Sequence, residues 1–152
     1  MTIKFPSEFP TRLGALATAV PEYEINQSDV EAFGRQLFRN RPETFERLSG
    51  AYSNAGIERR YSCVPLDWYK NARGWKARTE LFVDNAVTLL QESAEHAMEQ
   101  ADLLAEEIDG IVTICSTGIA VPSLDVLLME RLAFRRNVQR LPVFGLGCAG
   151  GV

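Results

Sequence analysis

Apolar positions along the chain change period several times, and each change predicts an element. Arg12–Val20 (RLGALATAV) is a short apolar run closed by Pro21, which lacks the N–H a strand would need, so it reads as a strand. Ser28 then stands as a cap before DVEAFGRQLF, where Val30, Phe33, Leu37 and Phe38 share one helical face. Asp29 and Glu31 near its start suit the positive end of the helix dipole. A second short helix is predicted over Arg41–Ser53 behind Pro42, with Phe45 and Leu48 facing inward. Gly56 ends it, and Ile57–Val64 (IERRYSCV) reads as a strand or extended arm. Pro65–Lys76 is aromatic and irregular; Trp68, Tyr69 and Trp75 could wall a tunnel, but a surface excursion that packs on its own body is the preferred reading.

From Thr79 to Leu103 the period is helical. Leu81, Asn85, Val87, Leu90, Ala94, Ala97, Met98 and Ala101 form a stripe, predicting the longest helix and a buried one. Ile108–Cys115 (IDGIVTIC) has the near-continuous apolar character of a strand covered on both faces. Pro122-Ser123 opens a helix over LDVLLMERLAF, with Ser123 as cap and Asp125 in the first turn. Arg140–Leu146 (RLPVFGL) reads as a further buried strand. Strands alternating with helices, with no repeat or linker, predict an α/β fold: a mostly parallel mixed sheet covered by helices, in one domain over residues 1–152.

Composition narrows the function classes. The 152 residues are 46% hydrophobic and 24% charged, which is globular rather than disordered composition. A net charge of −4 argues against a nucleic-acid or acidic-membrane surface, while leaving room for a small basic mouth around a phosphate-bearing ligand. No stretch approaches ~18 uninterrupted apolar residues, so neither a signal peptide nor a membrane span is expected, and a cytoplasmic setting is. Three widely spaced cysteines, Cys63, Cys115 and Cys148, form neither a disulfide framework nor a zinc ribbon. The single histidine, His96, cannot anchor a histidine-rich metal site and reads as a helix-surface or partly buried residue.

Cys148 carries the main chemical signal. It lies in Gly145-Leu146-Gly147-Cys148-Ala149-Gly150-Gly151, where flanking glycines permit a tight strand-to-helix turn and close approach of a substrate carbonyl. At such a turn, unpaired backbone N–H groups favour thiolate over thiol, and a thiolate attacks thioesters. The alternative is a small residue in an inert glycine-rich turn; the residues alone leave both readings open. Cys63 and Cys115 sit in apolar strand contexts, where a small buried thiol is the default. A strand ending in this turn should be followed by a helix, and only four residues follow Cys148, so the natural protein is expected to be longer.

Taken together, GLGCAGGV, DGIVTICSTGIAVPSLDVLLMERL, GIERRYSCVPLDWY and GWKARTELF resemble the type III polyketide synthases, the chalcone synthase family of the thiolase superfamily. The likeness runs from Arg12 to Val152 and covers the amino-terminal half of the family's pattern, so the implied fold is the amino-terminal half of a thiolase-like fold. By resemblance, Cys148 matches the nucleophile that takes a starter acyl group from coenzyme A. Ser116 and Thr117 match positions lining the reaction cavity, and Val121 matches a residue that reaches into the partner's cavity of a homodimer. Arg47 falls near a basic position contacting coenzyme A phosphates; Gly50 and Asn54 stand where the family has further basic residues.

The resemblance implies an acyltransferase using acyl-CoA and malonyl-CoA, with no metal, flavin or nicotinamide cofactor, no nucleic acid and no membrane partner. The family's cysteine works with a histidine and an asparagine from the carboxyl-terminal half, and neither is matched here. This chain alone is therefore expected not to turn over. The other readings are a half-length homologue that folds or dimerises without catalysis, and the same fold with acyl carrier protein chemistry of the ketoacyl-ACP synthase III kind.

Overall fold

The computed structural model describes residues 11–151. In chain order the elements are β1 (Tyr23–Asn26), α1 (Gln27–Leu37), α2 (Pro42–Asn54), β2 (Arg59–Ser62), α3 (Trp75–Ala101), β3 (Gly110–Cys115), α4 (Leu124–Met129) and β4 (Gln139–Phe144). Short 3-10 turns occupy Leu66–Lys70, Ala105–Glu107 and Gly147–Gly151. From α1 onward the alternation of helix and strand is the expected α/β order, whereas β1 lies where no strand was expected. The strands form two two-stranded sheets, β1–β2 antiparallel and β3–β4 parallel.

α1 packs against the first sheet, and α2 packs on α1. Tyr23 pairs with Ser62 and Asn26 with Arg59. Gln27, buried at the head of α1, ties three elements: its amide donates to the Tyr52 carbonyl at 3.0 Å, and its oxygen accepts from Arg60 Nε at 2.6 Å. Beside it, the hydrogen bond and charge of Glu24 raise the pKa of the Arg59 guanidinium. The helix begins one residue before Ser28, with Asn26 as its cap. Pro42 stands at the start of α2, where its fixed φ and missing N–H are compatible with a first turn. Phe45 is buried as expected, packing against Phe38 and Tyr52 with ring centroids 6.2 and 6.0 Å away. Leu48, expected inside, is exposed, because α2 turns Phe45 and Tyr52 rather than Leu48 toward α1.

The second sheet is packed by α3 and α4. Its register runs from Gly110–Gln139 to Cys115–Phe144. Thr113 on β3 is buried, whereas Val112 is 61% exposed and Ile114 and Leu141 are also exposed. The expectation that β3 is covered on both faces, and that β4 is buried, is thus corrected. Among the described residues the helices lie on the Thr113 side, and Pro142 in β4 suits a strand edge, where no N–H is demanded.

Two further boundaries differ from the sequence reading. Arg12–Val20 forms no ladder among the described residues: Ala15, Ala17 and Ala19 are half-buried in alternation with exposed Leu16 and Val20, but no described strand pairs with them. The segment is extended without being a strand, because alternation sets a face while a strand also requires a neighbouring edge. The longest helix starts four residues early, at Trp75, where Lys76 reaches Glu80 one turn on. It ends at Ala101 because Asp102 takes a left-handed conformation (φ 54°). Of its stripe only Val87 is fully buried and the rest is half-buried, so α3 is a covering helix rather than a central one.

Candidate active site

The site grows from the carboxyl ends of β3 and β4, which lie side by side. β4 leaves the ladder at Phe144, and the chain turns through Gly145 (φ 84°) and Gly147 (φ 55°), both in the left-handed region that side chains disfavour. The Gly145 amide donates to the Cys115 carbonyl at 3.1 Å, which carries the pairing one residue past the sheet. Gly147–Gly151 then forms the 3-10 turn that bears Cys148, with the Ala149 amide donating to Leu146 O at 3.2 Å. A Cβ on Gly150 would stand 2.6 Å from a methyl of Ile114, so the turn rests on β3 through a bare backbone. Cys148 is exposed, while Cys63 and Cys115 are half-buried. The Cys115 thiol donates to the Gly118 carbonyl at 3.4 Å.

Three of the residues singled out with Cys148 come from the loop after β3. Ser116 Oγ donates to the Gly147 carbonyl at 3.5 Å, so this residue touches the cysteine turn directly. Thr117 opens away from that contact onto a cleft of about 210 Å³ that it shares with Trp75, Arg78, Thr79, Phe82 and Gly118. Val121 projects from the loop with 93% of its surface exposed. Arg47 is elsewhere: it lies exposed on α2, within the group built around β1–β2, and the structure does not bring it to the cysteine turn by any hydrogen bond or ion pair. His96 is exposed on α3.

Sequence reasoning did not place two parts of this site. The first is the Trp75–Phe82 wall. Trp68 and Tyr69 do pack on each other, with centroids 5.2 Å apart, but Trp75 belongs to α3 and faces Thr117's cleft beside Arg78. The helical spacing of Trp75, Arg78 and Phe82 was the available signal. The second is Asp125. Expected only as a first-turn residue of its helix, it is 0% exposed, and its Oδ2 accepts from Arg140 Nη1 at 2.9 Å. Ser123 precedes α4 in the cap position without making a side-chain cap. The helix stops at Met129 rather than Phe134, because the chain turns to bury Leu132 and Val138 before β4. Among the described residues, no three His, Cys, Asp or Glu side chains cluster as a metal site would require.

Two strand ends presenting a glycine-bound cysteine turn beside a serine-threonine loop is an arrangement with known relatives. The family of chalcone and stilbene synthases, N-terminal domain, matches residues 4–152. The chain belongs to this family. It is 32% identical over 141 residues to a 1,3,6,8-tetrahydroxynaphthalene synthase of Streptomyces peucetius, covering 93% of this chain and 37% of the relative. It is 25% identical over 142 residues to a putative chalcone synthase of Bacillus subtilis, covering 90% of this chain and 39% of the relative. The crystal structure of the tetrahydroxynaphthalene synthase of Streptomyces coelicolor, a bacterial type III polyketide synthase, superposes with a TM-score of 0.80 at 25% identity, covering 90% of this chain and 40% of that one. PKS-I of the brown alga Ectocarpus siliculosus gives 0.76 at 26% identity, covering 89% and 39%. The chain thus spans about two fifths of the length of these type III polyketide synthases and has the thiolase-like fold of their amino-terminal part. No helix among the described residues is long and apolar enough to cross a membrane.

Proposed function

We propose that this chain is the nucleophile-bearing part of an acyltransferase of the type III polyketide synthase kind, with Cys148 as the acyl acceptor. The observation that carries the reading is the exposed Cys148 thiol on a turn entered through two left-handed glycines, Gly145 and Gly147, and touched by Ser116. In the proposed reaction the Cys148 sulfur attacks the carbonyl carbon of an acyl-CoA. A new carbon–sulfur bond forms, the bond to coenzyme A breaks, and the departing thiolate takes up the proton Cys148 has lost. Malonyl-CoA then loses carbon dioxide, and the electron pair left on its carbon attacks the acyl carbonyl, returning Cys148 as thiolate.

Ser116 and Thr117 line the acyl cavity in this reading, and Val121 reaches from one protomer of a homodimer toward its partner. Arg47 meets the coenzyme A phosphates. Coenzyme A thioesters are substrates, no bound cofactor takes part, and the setting is cytoplasmic. The extension step needs a histidine and an asparagine that the family resemblance places in polypeptide matching the rest of its relatives.

The test is intact-mass analysis of the chain incubated with acetyl-CoA, then with malonyl-CoA. One acyl adduct, released by hydroxylamine and absent from Cys148→Ala, is expected, without extended product. An adduct that persists in Cys148→Ala overturns the reading. A second reading, a non-catalytic half-length homologue, is favoured by the position of the single histidine: His96 is exposed on α3 and offers Cys148 no imidazole partner. A folded chain that forms no adduct selects it.

A further inference from the structure

We infer that the ion pair between buried Asp125 and partly exposed Arg140 is a positioning clamp that fixes the Ser116–Val121 loop against the strand carrying Cys148. α4 starts directly after that loop, and β4 runs directly into the Gly145–Cys148 turn. The 2.9 Å bond from Arg140 Nη1 to Asp125 Oδ2 therefore joins the two chain segments that flank the cysteine. Among the described residues every other ion pair links side chains that are both substantially exposed; here the carboxylate is fully buried and Arg140 is 39% exposed.

Stability is a poor reason for this pair. Burying a carboxylate carries a large desolvation cost, and Asp125 Oδ1 has no hydrogen-bond partner among the described residues. Leu124, Leu128 and Val138 already supply apolar burial around α4 and the start of β4. What a directional ion pair adds to such a contact is a single registration of the two elements, which apolar side chains alone specify less sharply. α4 has particular need of it. The helix is six residues long and has no side-chain cap, so tertiary anchoring must hold its position. Sliding α4 along β4 would shift the loop that sends Ser116 to the Gly147 carbonyl and Gly118 to the Cys115 thiol.

The inference rests on the proposed role of Cys148 only for what is being positioned, so its test uses backbone exchange rather than thiol chemistry. Asp125→Leu with Arg140→Met replaces the pair by apolar side chains of similar bulk, a change that commonly preserves stability. Amide hydrogen exchange by NMR is then compared with thermal unfolding. The expected result is a melting temperature close to that of the parent chain and unchanged protection along α3. Exchange at the Gly145 and Ala149 amides should be at least about tenfold faster, as for a local opening. Parent-like protection at Gly145 and Ala149, or a loss shared equally with α3, overturns the clamp. Should the double variant not fold, Asp125→Asn is read the same way: it keeps the shape and weakens the bond, and a loss confined to the turn is again required. Failure of Cys148 to accept an acyl group would remove the proposed function while leaving this exchange result intact.

Discussion

The ring of Phe82 fills the space that a side chain on Gly118 would need: a Cβ there would stand 2.3 Å from Cδ1. This contact joins α3 to the loop bearing Ser116 and Thr117, and the aromatic ring cannot bend out of the way. Gly118→Ala is expected to cost about 1–3 kcal/mol in urea unfolding, the range for overpacking. Adding Phe82→Leu should recover part of that loss; no recovery would show that the cost lies in the loop backbone.

Exposure separates the three cysteines, with Cys148 open and Cys63 and Cys115 half-buried. Under native conditions iodoacetamide should modify Cys148 first, by about tenfold or more, as access governs thiol reactivity. Peptide mapping of partially alkylated chain measures the order, and equal rates at all three would remove the distinction.

Phe45 organises the α1–α2 group. Phe38 and Tyr52 flank it, the Arg35 guanidinium lies 5.0 Å above its ring, and a Cβ on Gly34 would come within 3.0 Å of Cε2. Phe45→Ala should destabilise the protein by about 3–5 kcal/mol, seen as a lower denaturation midpoint.

Two ion pairs should respond very differently to loss of one partner. Arg35 and Glu46 pair at the exposed surface, so Glu46→Gln should change stability by less than ~1 kcal/mol and show sensitivity to salt. Arg140→Met alone leaves the Asp125 carboxylate buried without its counter-charge and should cost about 3–5 kcal/mol. Equal small effects in calorimetry would contradict the burial of Asp125.

The face of the parallel sheet that carries Val112, Ile114 and Leu141 is exposed and apolar. A surface of this kind favours self-association. Light scattering of the chain should show concentration-dependent oligomers, reduced by Val112→Thr with Leu141→Thr. A monodisperse monomer across the concentration range would argue that the face is innocuous.

Helix periodicity was legible where it was long. The stripe from Leu81 to Ala101 located most of α3, and Pro42 located the start of α2, since both signals act within one or two turns of backbone. The turn at Cys148 was legible for a similar reason: Gly145 and Gly147 do take positive φ, the conformation their missing Cβ permits. The cleft beside Thr117 was not, because Trp75 was assigned to an irregular excursion, and only its place in α3 turns it toward the loop.

Local sequence therefore determined the order of helices and strands from α1 onward, the glycine-bound turn and the loop that meets it, because hydrophobic period and backbone freedom are properties of neighbouring residues. Tertiary structure decided what each face meets. It left Ala15, Ala17 and Ala19 alternating without a ladder partner among the described residues, bared one side of β3, and drew Asp125 inward to Arg140. Those outcomes depend on which distant segment arrives within a few ångströms, and a buried charge is stabilised there by one guanidinium fifteen residues away rather than by anything in its own helix.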